Sequence, residues 1–100
     1  MLVHPLGSDR GAWEPVLPLL ASHHDAIAVD MPGFGESPEL PEEVPATAGS
    51  IAASIEATLD SLGIQRAHIA GNSLGGWVAL EFAKSARCLS VTTLCAAGFW

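Results

Sequence analysis

The stretch Gly71-Asn72-Ser73-Leu74-Gly75 constrains the fold of this chain more than any other. Ahead of it, Arg66-Ala67-His68-Ile69-Ala70 reads as a short apolar strand, and behind it Gly76-Trp77-Val78-Ala79-Leu80-Glu81-Phe82-Ala83 reads as a helix. A strand that passes into a helix through a single serine needs a sharp turn, and a sharp turn crowds its own flanks. Gly71 and Gly75 remove the Cβ atoms that would collide, and glycine tolerates strained backbone angles. Such a turn holds a weakly nucleophilic hydroxyl where a base can reach it from one side and a carbonyl from the other. The helix starting near Leu74 directs its unbonded N–H groups and the positive end of its dipole to where an oxyanion forms during acyl transfer.

The remaining elements fall into alternation. Leu2-Val3-His4 is the end of a buried strand, and Pro5 to Ala12 is a loop by its glycine, proline and serine content. Trp13, Val16, Leu17 and Leu20 form an apolar stripe that predicts a helix over residues 13–21, with Pro15 in its first turn and Pro18 as a point of shortening or kinking. Ala26-Ile27-Ala28-Val29 is a continuous apolar strand that ends in the tight loop Asp30-Met31-Pro32-Gly33-Phe34-Gly35-Glu36-Ser37. Residues 38–45 are an acidic, proline-rich surface connection. Ile51, Ile55, Leu59 and Leu62 predict a helix over 47–62, capped by Thr47 or Ser50 and stopped by Gly63. The helix from Leu74 is expected to run to about Arg87, with a last strand over 89–95. Four strands alternating with three helices imply an α/β fold, a four-stranded parallel sheet with crossover helices.

Composition narrows the function classes. A net charge of −7 opposes a non-specific hold on nucleic acid or anionic membrane. No apolar run reaches the roughly 20 residues of a membrane span, and the N-terminus lacks a signal-type core, so a cytoplasmic location is expected. Cys88 and Cys95 flank a predicted strand that would hold their Cα atoms roughly 23 Å apart, and both are read as reduced. No cysteine or histidine spacing suits a metal, and Gly33-Phe34-Gly35 lacks the third glycine and following helix of a dinucleotide loop. No metal and no cofactor are expected.

Three motifs in order, His4-Pro5-Leu6-Gly7 followed by Trp13, then Asp30 to Ser37, then Gly71 to Gly76, make the chain resemble the N-terminal half of an α/β-hydrolase-fold enzyme. The resemblance implies that residues 1–100 are the N-terminal part of a single such domain. It also implies that Ser73 is the nucleophile and that the backbone N–H groups of Leu6 and Leu74 form the oxyanion hole. His4 is expected to bond loop backbone, and Asp30 to brace its own turn. The triad acid and histidine of this family follow the nucleophile. Residues 74–100 hold no histidine, and their one carboxylate is Glu81. His68, five residues before Ser73 along one strand, would lie about 16 Å away, and His23 and His24 precede the opposite edge of the sheet.

The chain therefore reads as a fragment of a longer serine hydrolase acting on a carboxylic ester or related small acyl substrate, inactive by itself, with base and acid outside it. Phe99 and Trp100 would begin a cap or pocket wall, or pack against later strands. Asn72 resembles carbon-carbon bond hydrolases, and Leu6-Gly7-Ser8-Asp9 resembles enol-lactone hydrolases. An acyltransferase or perhydrolase using the same acyl-enzyme, and a non-catalytic binding protein on the same scaffold, stay open.

Overall fold

A computed structural model describes residues 1–97 of the chain. Four strands, β1 (Leu2–Val3), β2 (Ala28–Val29), β3 (Ala67–Asn72) and β4 (Cys88–Leu94), form one parallel sheet in the order β2-β1-β3-β4. Val3 pairs with Val29 on one side and with Gly71 on the other. The register of β3 with β4 shifts once, between Ala67 and His68. The chain steps from β1 to β2 in one direction, then passes back over β1 to β3 and on to β4. The connections that follow β1 and β3 consequently leave on opposite faces of the sheet, and their loops flank one crevice at the carboxyl ends of two neighbouring strands, where open α/β sheets bind ligands.

Alternation along each strand separates two faces. Val3 and Ile69 face helix α2 (Ala48–Ser61) and helix α3 (Leu74–Phe82), and with Met31, Ile51, Ala52, Ile55, Leu59, Val78, Ala79 and Phe82 they make the buried core. On the second face Leu2, His68, Ala70, Ser90 and Thr92, together with Trp13, Val16 and Leu20, line an apolar trough of about 730 Å³. Edge strand β4 leaves Leu89, Val91 and Leu94 exposed, as an uncovered outer strand does.

Helix α2 starts where its sequence says it should. The Thr47 hydroxyl accepts the Ser50 N–H at 3.1 Å, the Ser50 hydroxyl accepts the Thr47 N–H at 2.9 Å, and Gly63 leaves the helix at φ +72°. Two expected helices are shorter than the sequence predicts. In place of one helix over 13–21, a 3₁₀ turn over Arg10–Trp13 is followed by turns and then by α1 (Leu17–Ala21). Neither Pro15 nor Pro18 has an N–H to donate, so Pro18 is accommodated only because it falls at the start of α1, where no partner is required. Helix α3 ends at Phe82 and not near Arg87. Arg87 is drawn off to donate to the carbonyls of Glu56, Ile64 and Gln65 and to pair with Asp60 at 2.8 Å, bracing the end of α2. Strand β2 covers only Ala28–Val29 of the expected 26–29. Both cysteines are free thiols. Phe99 and Trp100, expected at a cap or pocket wall, lie outside the described residues.

Candidate active site

Strand β3 delivers the chain to Ser73, which stands one residue past its end and one residue ahead of α3. Its backbone adopts φ 56°, ψ −115°, a conformation that costs a non-glycine residue about 1–3 kcal/mol unless its surroundings hold it there. Those surroundings do hold it. The Ser73 N–H donates to the Leu94 carbonyl at 2.9 Å, and the Ser73 carbonyl accepts the N–H groups of Gly76, Trp77 and Ala97. The strained residue of the elbow is thus the serine itself, whereas Gly71 and Gly75 both keep negative φ.

The two glycines are required by close approach alone. A Cβ on Gly71 would overlap the Gly75 carbonyl, and a Cβ on Gly75 would overlap the Val3 carbonyl and come within 2.6 Å of the His4 carbonyl oxygen. The second clash is the informative one. The end of β1 passes directly over the first turn of α3, which sets the following loop, residues 5–9, beside the elbow.

Inside that loop the Ser8 N–H closes a turn onto the Pro5 carbonyl at 3.2 Å, with Gly7 at φ +76°. A four-residue turn uses the N–H of its last residue and none of its central ones, which leaves the Leu6 N–H uncommitted. Leu74 is the first residue of α3, where helical geometry offers its N–H no partner either. Among the described residues, neither N–H makes a backbone hydrogen bond. The Leu6 side chain is exposed.

His4 is fully buried, and backbone engages both its ring nitrogens. Nδ1 donates to the Pro5 carbonyl at 2.7 Å, so Nε2 is left to accept the Met31 N–H at 2.9 Å. Its ring also meets Phe34 edge-on, with centroids 5.5 Å apart. Asp30 braces its turn as expected. Its side chain, 3% exposed, accepts the N–H groups of Arg10 (2.8 Å) and Glu36 (3.0 Å), while the Ser37 hydroxyl donates to its carbonyl at 2.7 Å. Arg10 Nη1 completes the shell at 2.7 Å. Burial by itself would raise the Asp30 pKa, but the two N–H donors and the Arg10 charge outweigh it and hold the carboxyl below the ordinary aspartate value of 3.8. Gly35, at φ +54°, lies so close over this carboxylate that a Cβ there would overlap it.

The other histidines stand away from the elbow. His68, at the opposite end of β3, bonds the Ser90 hydroxyl through Nδ1 at 2.6 Å, and His24 packs edge-on against it at 6.0 Å. Glu81 pairs with Lys84 at 2.9 Å. No group of three metal-ligating side chains occurs among the described residues, and no described helix is long and apolar enough to cross a membrane. Arg10 is not among the site residues that the sequence marks, because its partners lie 20 and 26 residues away. The available signal was a lone arginine in a loop preceding a strand that ends in aspartate.

Comparison with known proteins bears on all 100 residues. The chain is 37% identical over 100 residues to the dihydrolipoyllysine-residue acetyltransferase component of the acetoin cleaving system of Pseudomonas putida, covering 98% of this chain and 26% of that protein. It is 33% identical to 3-oxoadipate enol-lactonase 1 of Acinetobacter baylyi, covering 87% of this chain and 32% of the relative. The crystal structure of a membrane phospholipase A, a bacterial virulence factor, superposes with a TM-score of 0.89 at 31% identity, over 99% of this chain and 32% of that one. The chain thus spans about a quarter to a third of the length of these relatives. The sequence profile of the alpha/beta hydrolase fold matches residues 1–100, and the chain belongs to the α/β hydrolase fold family.

Proposed function

We propose that residues 1–100 are the N-terminal part of a single α/β-hydrolase domain, and that the protein carrying them is a serine hydrolase acting on a carboxylic ester or related acyl substrate. The observation that carries this reading is the backbone of Ser73, held at φ 56° between β3 and α3. In the proposed reaction Ser73 Oγ attacks the substrate carbonyl and its proton passes to a base. The carbonyl oxygen becomes an oxyanion facing the N–H groups of Leu6 and Leu74. Collapse expels the alcohol with that proton and leaves an ester on Ser73, which water then cleaves to the acid. His4 has both ring nitrogens engaged by backbone, His23 and His24 lie in the connection between α1 and β2, and His68 stands near the start of β3, so the base is proposed to come from sequence beyond these residues.

A fluorophosphonate probe tests the reading. The full-length protein is expected to gain one phosphonyl adduct, lost in Ser73→Ala along with at least about 10⁴-fold of its esterase kcat. Residues 1–100 alone are expected to gain none. A full-length protein that stays unlabelled and inactive on short acyl esters would favour a non-catalytic binding protein. One relative's name favours a second reading, acyl transfer from the same Ser73 ester to an acceptor other than water. Adding a competing alcohol or thiol and measuring the ratio of acid to transferred acyl product separates the two.

A further inference from the structure

The loop proposed to supply one oxyanion donor is fastened at both ends to two consecutive residues. Before it, His4 Nε2 accepts the N–H of Met31, and after it Arg10 binds the carboxylate of Asp30 through its own N–H at 2.8 Å and through Nη1 at 2.7 Å. Residues 5–9 are thereby strung across the end of β2, and what varies between the pinned ends is limited further by the fixed φ of Pro5 and the Ser8-to-Pro5 turn. The Asp30 carboxylate is a firm post, because Gly35 covers it and the Glu36 N–H holds it from the other side. Arg10 also reaches Glu36 at 3.0 Å, but that carboxylate is 82% exposed and such pairs contribute little.

We propose that Arg10 is a positioning residue, which holds the Leu6 N–H on the acyl-transfer centre by fastening the far end of the residue 5–9 loop to Asp30. The inference rests on the serine-hydrolase reading above. Arg10 touches no reacting atom, so its contribution appears in the transition state, where a donor must meet developing charge, and not in substrate binding. Releasing it leaves the backbone bond from the Arg10 N–H in place, so the donor is misaimed and not removed. The loss should accordingly fall below the 10²–10³-fold typical of deleting an oxyanion donor, at about 10-fold.

The test uses the full-length protein with p-nitrophenyl butyrate as substrate and a trifluoromethyl ketone as oxyanion mimic. Arg10→Met is expected to lower kcat about 10-fold with KM within about twofold, and to weaken the ketone by the same factor. Arg10→Lys should regain most of that, and Arg10→Met combined with Asp30→Asn should fall no further than the worse single variant. Asp30→Asn keeps the size of the side chain but removes the charge that Arg10 binds and turns an amide NH2 toward a former donor, and it provides the measurement if Arg10→Met does not fold. An unchanged kcat in folded Arg10→Met, with Ser73 still phosphonylated, overturns the positioning role and spares the nucleophile. A kcat loss that merely tracks loss of folded protein and resists rescue by lysine overturns it too. A wild-type protein that takes no phosphonyl group removes the hydrolase reading and this inference with it.

Discussion

Each side chain near the elbow is constrained by what stands against it. Gly75 supports the most direct prediction, since a methyl group there would strike the backbone at Val3 and His4, which cannot swing aside as a flexible side chain would. Gly75→Ala is expected to cost roughly 2 kcal/mol or more in a denaturant titration, and to lower kcat by shifting the residue 5–9 loop. Asp30 supports a pH prediction. Its folded pKa lies below the unfolded value of 3.8, so the stabilisation is fully present above 3.8 and is lost as the pH falls through the lowered folded value. A plot of Tm between about pH 6 and about pH 2 should drop less steeply at its acid end for Asp30→Asn than for the wild type. Parallel curves would mean that Asp30 gains no proton on unfolding. Gly71, Ser73 and Gly75 could be picked out in the sequence by residue type and spacing alone. That the positive φ belongs to Ser73 was not legible, because it depends on how Leu94 at the end of β4 and Ala97 beyond it grip the turn.

At the level of elements, sequence and structure agree where the signal is local. Helix α2 begins and ends where its cap residues and Gly63 say, since a capping box is satisfied by neighbours three residues apart. Thr47→Ala should therefore destabilise by about 1 kcal/mol, measurable as a shift in denaturant midpoint without a change in slope. Helices α1 and α3 fall short of their predicted lengths for different reasons. In α1 two prolines without N–H groups outweigh the stripe of Trp13, Val16, Leu17 and Leu20. In α3 the determining contacts are distant, since Arg87 satisfies carbonyls at Glu56, Ile64 and Gln65 that no reading of residues 74–87 reveals.

For the whole molecule, the alternation of strands and helices predicts a parallel sheet, and the sheet is parallel. The strand order could not be counted off the chain. The position of β1 between β2 and β3 comes from pairings such as Val3 with Val29 and with Gly71. That order is what makes a site possible, because it brings the loop after β1 and the elbow after β3 together at one edge of the sheet. The same distance in sequence concealed the link from Arg10 to Asp30. The central claim is that this edge holds an acyl-accepting serine. Intact-mass and peptide mass spectrometry of the full-length protein, quenched during turnover of an acetyl ester, test it directly. The account predicts one acetyl group, on the peptide containing Ser73 and absent from Ser73→Ala. Turnover with no acyl group on that peptide at any quench time, or with the group on another residue, would contradict it.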